Sequence, residues 1–205
     1  KMNLISKALL PLLLTLSFNI SADDHIPQAP YLFPLETMQC NFNENKDMDD
    51  LMKLQGEWKK FIEGNDEISY AAWVITPLYR SASDFTNDIA WLGASPSWTA
   101  FGKGYQAWFE EAGRLAEKFN DVYTCDTRQM FATQSIRQSE NTSDNGVMLV
   151  SNCSLINDAT LMDVAAADQK WNAYLDSQNS DGSILRWYPG PGTPTDLDYS
   201  FKYVQ

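Results

Sequence analysis

Between Asp47 and Gly64 the apolar residues Met48, Leu51, Met52, Leu54, Trp58, Phe61 and Ile62 recur at helical spacing, which predicts an amphipathic helix. Asp47 or Asp49 can accept the free amides of its first turn, and Gly64-Asn65 stops it. On either side the period changes. Leu35 to Phe42 is a short apolar stretch suited to a strand. Tyr70 to Ile75 is continuously apolar, which predicts a strand covered on both faces and ended by Pro77. Asp88 to Gly93 reads as a further strand. Ser95-Pro96 then opens a second helix with Phe101, Tyr105, Trp108, Ala112, Leu115 and Phe119 on its buried stripe, and Val122 to Thr133 is the last strand. The order β-α-β-β-α-β is that of a ferredoxin-like unit, in which right-handed crossovers place both helices on one face of a four-stranded antiparallel sheet. The other face is left bare and demands a partner.

A second copy in the same chain supplies one. At an offset of 113 residues Cys40 falls on Cys153, Asp50 on Asp163, Trp58 on Trp171 and Phe61 on Tyr174. Trp73 to Pro77 answers Trp187 to Pro191 at an offset of 114. The fold expected is therefore α+β, with two tandem ferredoxin-like βαββαβ units packed sheet to sheet. The first spans 35–133, the polar stretch 134–145 links the two, and the second spans 146–205. The second ends on the counterpart of its third strand. The match to residues 94–133 is missing, so the second unit is expected to be truncated: the favoured expectation is that the natural protein continues beyond it, and the alternative is that another chain completes the sheet, with a dimer through the sheet faces or the open edge.

The N-terminus reads as an address. Lys1 and Lys7 precede an apolar run from Ala8 to Phe18, and Ile20-Ser21-Ala22 offers a cleavage site, so 1–22 is expected to be a signal peptide and 23–34 an N-terminal tail. The run is too short to span a bilayer, and the mature chain is expected to be periplasmic or secreted, with no membrane span. The chain has 205 residues and a formal net charge of −12, which argues against nucleic acid as a partner.

The phrases Tyr70-Ala-Ala-Trp-Val-Ile-Thr-Pro, Trp91-Leu-Gly-Ala-Ser-Pro-Ser-Trp98 and Asp168-Gln-Lys-Trp171-Asn resemble those of uncharacterised exported proteins of marine Gram-negative bacteria. Two units packed sheet to sheet resemble the dimeric α+β barrel superfamily, which includes antibiotic-biosynthesis and haem-degrading monooxygenases. That resemblance implies a cavity between sheet and helices for a planar or apolar ligand, and in some members cofactor-free oxidation of phenols.

Cysteine and histidine narrow the chemistry. An exported chain forms disulfides by default, and in the ferredoxin-like order the first and last strands are antiparallel neighbours, so Cys40 and Cys125 are expected to pair. Cys153 then has no evident partner. The single histidine, His25, sits in the expected tail, which makes a helix-histidine haem ligand or a histidine-based acid–base mechanism a poor fit. No metal site and no cofactor are expected. Asp49-Asp50 and Glu110-Glu111 read as solvated helix faces.

Aromatic side chains remain, with seven Trp, nine Tyr and ten Phe. Core packing accounts for such rings on its own, and a ligand pocket is the competing reading. For a pocket the candidate residues are Trp58, Trp73, Trp91, Trp108, Trp171 and Trp187, with Arg80 and Arg186 as cations able to hold a phenolate or carboxylate. Three functions follow: a module binding a small aromatic or apolar molecule, a cofactor-independent oxygenase acting on a phenol or quinol with Asn87, Asp88 or Arg80 as its polar group, and a structural or interaction module.

Overall fold

The computed structural model describes residues 30–79, 86–139 and 145–205. The expected signal peptide 1–22, His25 and Arg80 lie outside the described residues. Strand β1 (Leu32–Phe42) leads into helix α1 (Met48–Glu63), and strands β2 (Ala71–Ile75) and β3 (Ile89–Ala94) follow. Helices α2 (Trp98–Glu111) and α3 (Gly113–Val122) come next, then β4 (Tyr123–Arg137). The remainder is β5 (Val150–Cys153), α4 (Leu161–Ser177), β6 (Ile184–Pro189) and β7 (Phe201–Val204). The strands form one antiparallel sheet in the order β2-β3-β1-β4-β6-β7-β5. Its first four strands have the ferredoxin-like order. No described helix is long and apolar enough to cross a membrane.

Local chemistry sets the helix ends. Asp47 caps α1 by accepting the Asp50 amide at 3.2 Å, with Asp49 and Asp50 placed where the helix dipole favours acids. The one long helix expected after Ser95-Pro96 is two. Ser97 caps α2 by accepting the Ala100 amide at 3.1 Å, and the chain breaks at Ala112 and Gly113, where φ is +34°. Glycine takes that conformation without a Cβ penalty. Thr160 and Asp163 form a capping box at the start of α4.

Tertiary pairing overrides several expectations. The apolar run Tyr70–Ile75 is not an interior strand, because among the described residues β2 pairs only with β3 and forms one edge of the sheet, leaving Trp73 44% exposed. Strand β4 continues through Arg137, so the start of the stretch read as a linker is strand, its backbone paired with β6. That pairing also corrects the stacking of two sheets. The later strands join the earlier ones edge to edge through β4 and β6, in a single sheet.

Alternation along the strands separates two faces. On one, Met38, Cys40, Ile89 and Trp91 pack against Leu51 and Leu54 of α1 and Phe119 and Val122 of α3. The register of β6 on β4 puts Arg186, which binds Asp168 of α4, on the same face, so all four helices cover one side. The opposite face carries a second cluster, Leu35, Leu92, Phe131, Trp187 and Val204, drawn from strands on both sides of the β4–β6 seam. The bare face is hidden by a core shared between the two strand sets. Cys40 and Cys125, register partners on β1 and β4, form the expected disulfide, and Cys153 is free.

Candidate functional site

A cavity of about 650 Å³ lies between the sheet and helices α1, α2 and α3. Its aromatic walls follow from the stripes of the helices and the outer residues of β3. Trp58 meets Trp91 edge-on at 6.1 Å and Tyr70 at 6.4 Å between ring centres. Trp108 meets Phe61 at 5.6 Å and Phe119 at 5.9 Å. Of the residues expected to contact a ligand, Trp58, Trp91 and Trp108 line this space.

The others lie elsewhere. Trp73 stands on the β2 edge. Trp171 is 41% exposed and stacks on Tyr174 of its own helix. Trp187 is buried in the cluster on the helix-free face. Arg186 is committed to a bidentate pair with Asp168, both bonds 2.8 Å, and its guanidinium lies 4.8 Å from the Phe201 ring centre. It offers no free cation to a ligand. Nor do the suggested polar groups reach the cavity: Asp88 accepts the Phe42 amide at 3.0 Å, and Asn87 donates to Asp126 at 3.0 Å. Among the described residues no cluster of His, Cys, Asp or Glu could hold a metal ion.

The polar centre of the cavity is one that the expectations above do not contain. Glu36 on β1 is 4% exposed, and its carboxylate faces the cavity wall. Tyr70 donates its hydroxyl to Oε1 at 2.6 Å, and Tyr105 of α2 donates to Oε2. Trp91 Nε1–H donates in turn to Tyr70 Oη at 2.9 Å. Gly93, the register partner of Glu36 on β3, makes the arrangement sterically feasible: a Cβ there would stand 1.8 Å from Tyr70 Oη. A side chain at position 93 and the Tyr70–Glu36 bond exclude one another.

Burial, the Glu36 charge and donation to it all raise the pKa values of Tyr70 and Tyr105, so both hydroxyls stay protonated at neutral pH. Tyr123 is pushed up to about 12, mainly by burial. Arg128 on β4, exposed and lining the cavity, opposes that rise at Tyr105 through its positive charge. None of the ion pairs among the described residues involves Glu36 or Arg128.

One signal in the sequence points to Glu36. It shares the alternating set of Met38 and Cys40, the side that faces the helices, where an unpaired carboxylate is costly. Tyr70 and Tyr105 read as ordinary core, because their rings are core and only their hydroxyls act in the network.

No protein-family model matches the chain, and no curated protein is similar to it. Among solved structures, one mutant chlorite dismutase from Candidatus Nitrospira defluvii is similar at a TM-score of 0.47 and 7% identity, over 86% of this chain and 76% of that one. A second mutant of that enzyme matches at a TM-score of 0.46 and 8% identity, over 88% of this chain and 78% of that one. No side-chain role is carried across at such identity. The resemblance to exported marine proteins has no counterpart among these matches.

Proposed function

We propose that the protein binds a small aromatic or apolar molecule in the cavity under α1, α2 and α3. The observation that carries this reading is a void of about 650 Å³ walled by Trp58, Trp91 and Trp108, within the size range of small-molecule sites. The disulfide suits an exported, periplasmic or secreted protein. In this reading β5, α4, β6 and β7 are a second ferredoxin-like set that shields the helix-free face of the first, while the first holds the ligand.

The oxygenase reading draws on the same cavity, because Glu36 places an ionisable group in its wall. Binding is favoured over turnover. Both tyrosines are held protonated and donate their hydroxyls to Glu36, so neither stands free as a general base.

Gly104 provides the test. It lies inside α2 and lines the cavity, and a Cβ there would meet only Ile68 Cγ2, at 3.9 Å. Gly104→Leu adds bulk to the cavity while removing a helix-interior glycine worth roughly 1 kcal/mol. Titrating the wild-type protein with p-cresol and a panel of quinols under oxygen is expected to quench tryptophan fluorescence without consuming oxygen. Gly104→Leu is expected to fold with equal or greater stability and to lose the quenching. Quenching that survives in Gly104→Leu overturns the reading, as does its absence from wild type across the panel and across small aromatic amines, acids and amino acids. Oxygen consumption with phenol turnover moves it to the oxygenase.

A further inference from the structure

The charge pattern around Tyr105 narrows the ligand class, given the binding reading above. Glu36 is a buried carboxylate whose partners are two neutral hydroxyls. A buried charge held only by neutral donors lacks the counter-charge that ordinarily offsets its desolvation. The contrast within the same molecule is Arg186, equally buried, which has the full bidentate carboxylate of Asp168.

Each oxygen of Glu36 accepts one hydrogen bond from a described residue, and a carboxylate oxygen has room for about two. Acceptor capacity therefore remains beside the cavity. Arg128 complements it in the cavity lining. Its guanidinium carries five N–H donors, and its charge acts on the Tyr105 hydroxyl. The Tyr105 hydroxyl thus donates to a carboxylate and feels the charge of a guanidinium that lines the same cavity. A negative and a positive group line the same aromatic chamber.

We infer that the ligand is a zwitterion of the α-amino acid type with a large apolar or aromatic side chain. Its ammonium group bonds the spare acceptor sites of Glu36, its carboxylate bonds Arg128, and its side chain lies among Trp58, Trp91 and Trp108. An ammonium and a carboxylate on one carbon match two opposite charges that both act on one hydroxyl. A simple phenol would use Glu36 and leave Arg128 idle, and a simple carboxylic acid would do the reverse.

Calorimetry and tryptophan fluorescence on the whole protein distinguish these ligands. The probes are L-phenylalanine, phenethylamine, which lacks the carboxylate, 3-phenylpropionate, which lacks the ammonium, and p-cresol. L-Phenylalanine is expected to bind at least tenfold more tightly than any other. Glu36→Gln is expected to weaken L-phenylalanine at least tenfold while leaving 3-phenylpropionate unweakened. Arg128→Gln, a change at an exposed position, is expected to weaken L-phenylalanine and 3-phenylpropionate and to spare phenethylamine. Equal binding of all four probes, or preference for p-cresol, overturns the zwitterion and leaves the cavity reading intact. Binding of none overturns both. Should Glu36→Gln fail to fold, the Arg128→Gln pattern decides alone: loss of selectivity between phenethylamine and L-phenylalanine supports the inference, and unchanged selectivity overturns it.

Discussion

Helices α1 and α4 carry matching residues at an offset of 113, yet they live in different surroundings. Trp58 of α1 meets Trp91 and Tyr70, while Trp171 of α4 stands 41% exposed and stacks on Tyr174 of its own helix. The strands show the reverse. Trp73 is exposed on β2, whereas Trp187, its counterpart on β6, is buried. The difference lies in the neighbours. Helices α2 and α3 roof the first set, and no described helix does the same for α4. Strand β2 is a sheet edge, while β6 is flanked by β4 and β7. Identical residues at matched positions therefore report tertiary contact rather than local pattern. The charges follow the same division: the roofed set keeps a cavity and a carboxylate with neutral partners, and the unroofed one keeps a closed ion pair.

The largest test of this asymmetry is at the cysteines. Cys40 and Cys125 close a separation of 85 residues, and in the chain-entropy model such a link stabilises by roughly 4 kcal/mol. Cys153, at the matching position in the second set, closes nothing. Reduction or Cys125→Ser should lower the unfolding free energy measured by denaturant titration by an amount near that figure, while Cys153→Ser should stay within about 0.5 kcal/mol of wild type. Comparable losses for the two would remove the distinction.

The next effect is at Asp168. Arg186 is 2% exposed and donates to both carboxylate oxygens of Asp168. Asp168→Ala leaves a buried guanidinium without its charge partner, which costs about 3 kcal/mol. Chemical denaturation measures this directly, and a change below about 1 kcal/mol would mean that water solvates Arg186 and that the second set is not closed.

How much of this was legible in the sequence depends on whether a residue's role is local. The spacing of Leu51, Leu54 and Trp58 placed α1, and Asp47 and Gly64 marked its ends, because helix period and capping are local properties. The Cys40–Cys125 bond followed from strand order, since the topology makes β1 and β4 neighbours. The edge position of β2, the β4–β6 seam and the break at Gly113 were not legible, because each depends on which strand or helix arrives next to which. Glu36 was hidden for another reason. Its meaning comes from Tyr70, 34 residues away, and Tyr105, 69 residues away, and no spacing in one sequence relates the three.

The smallest expected effect bears on α4 itself. An exposed tryptophan on a helix that buries only Leu175 contributes little to folding, so Trp171→Ala should change stability by no more than about 0.5 kcal/mol. The measurement is sharpest as a thermal midpoint taken at two protein concentrations well apart. A midpoint that drops by several degrees on mutation, and only at the higher concentration, would mean that a second copy covers Trp171 and Tyr174 in solution, since association stabilises by mass action. In that event α4 would be roofed like α1, from another chain, and the contrast drawn between the two helices would hold for the single chain alone.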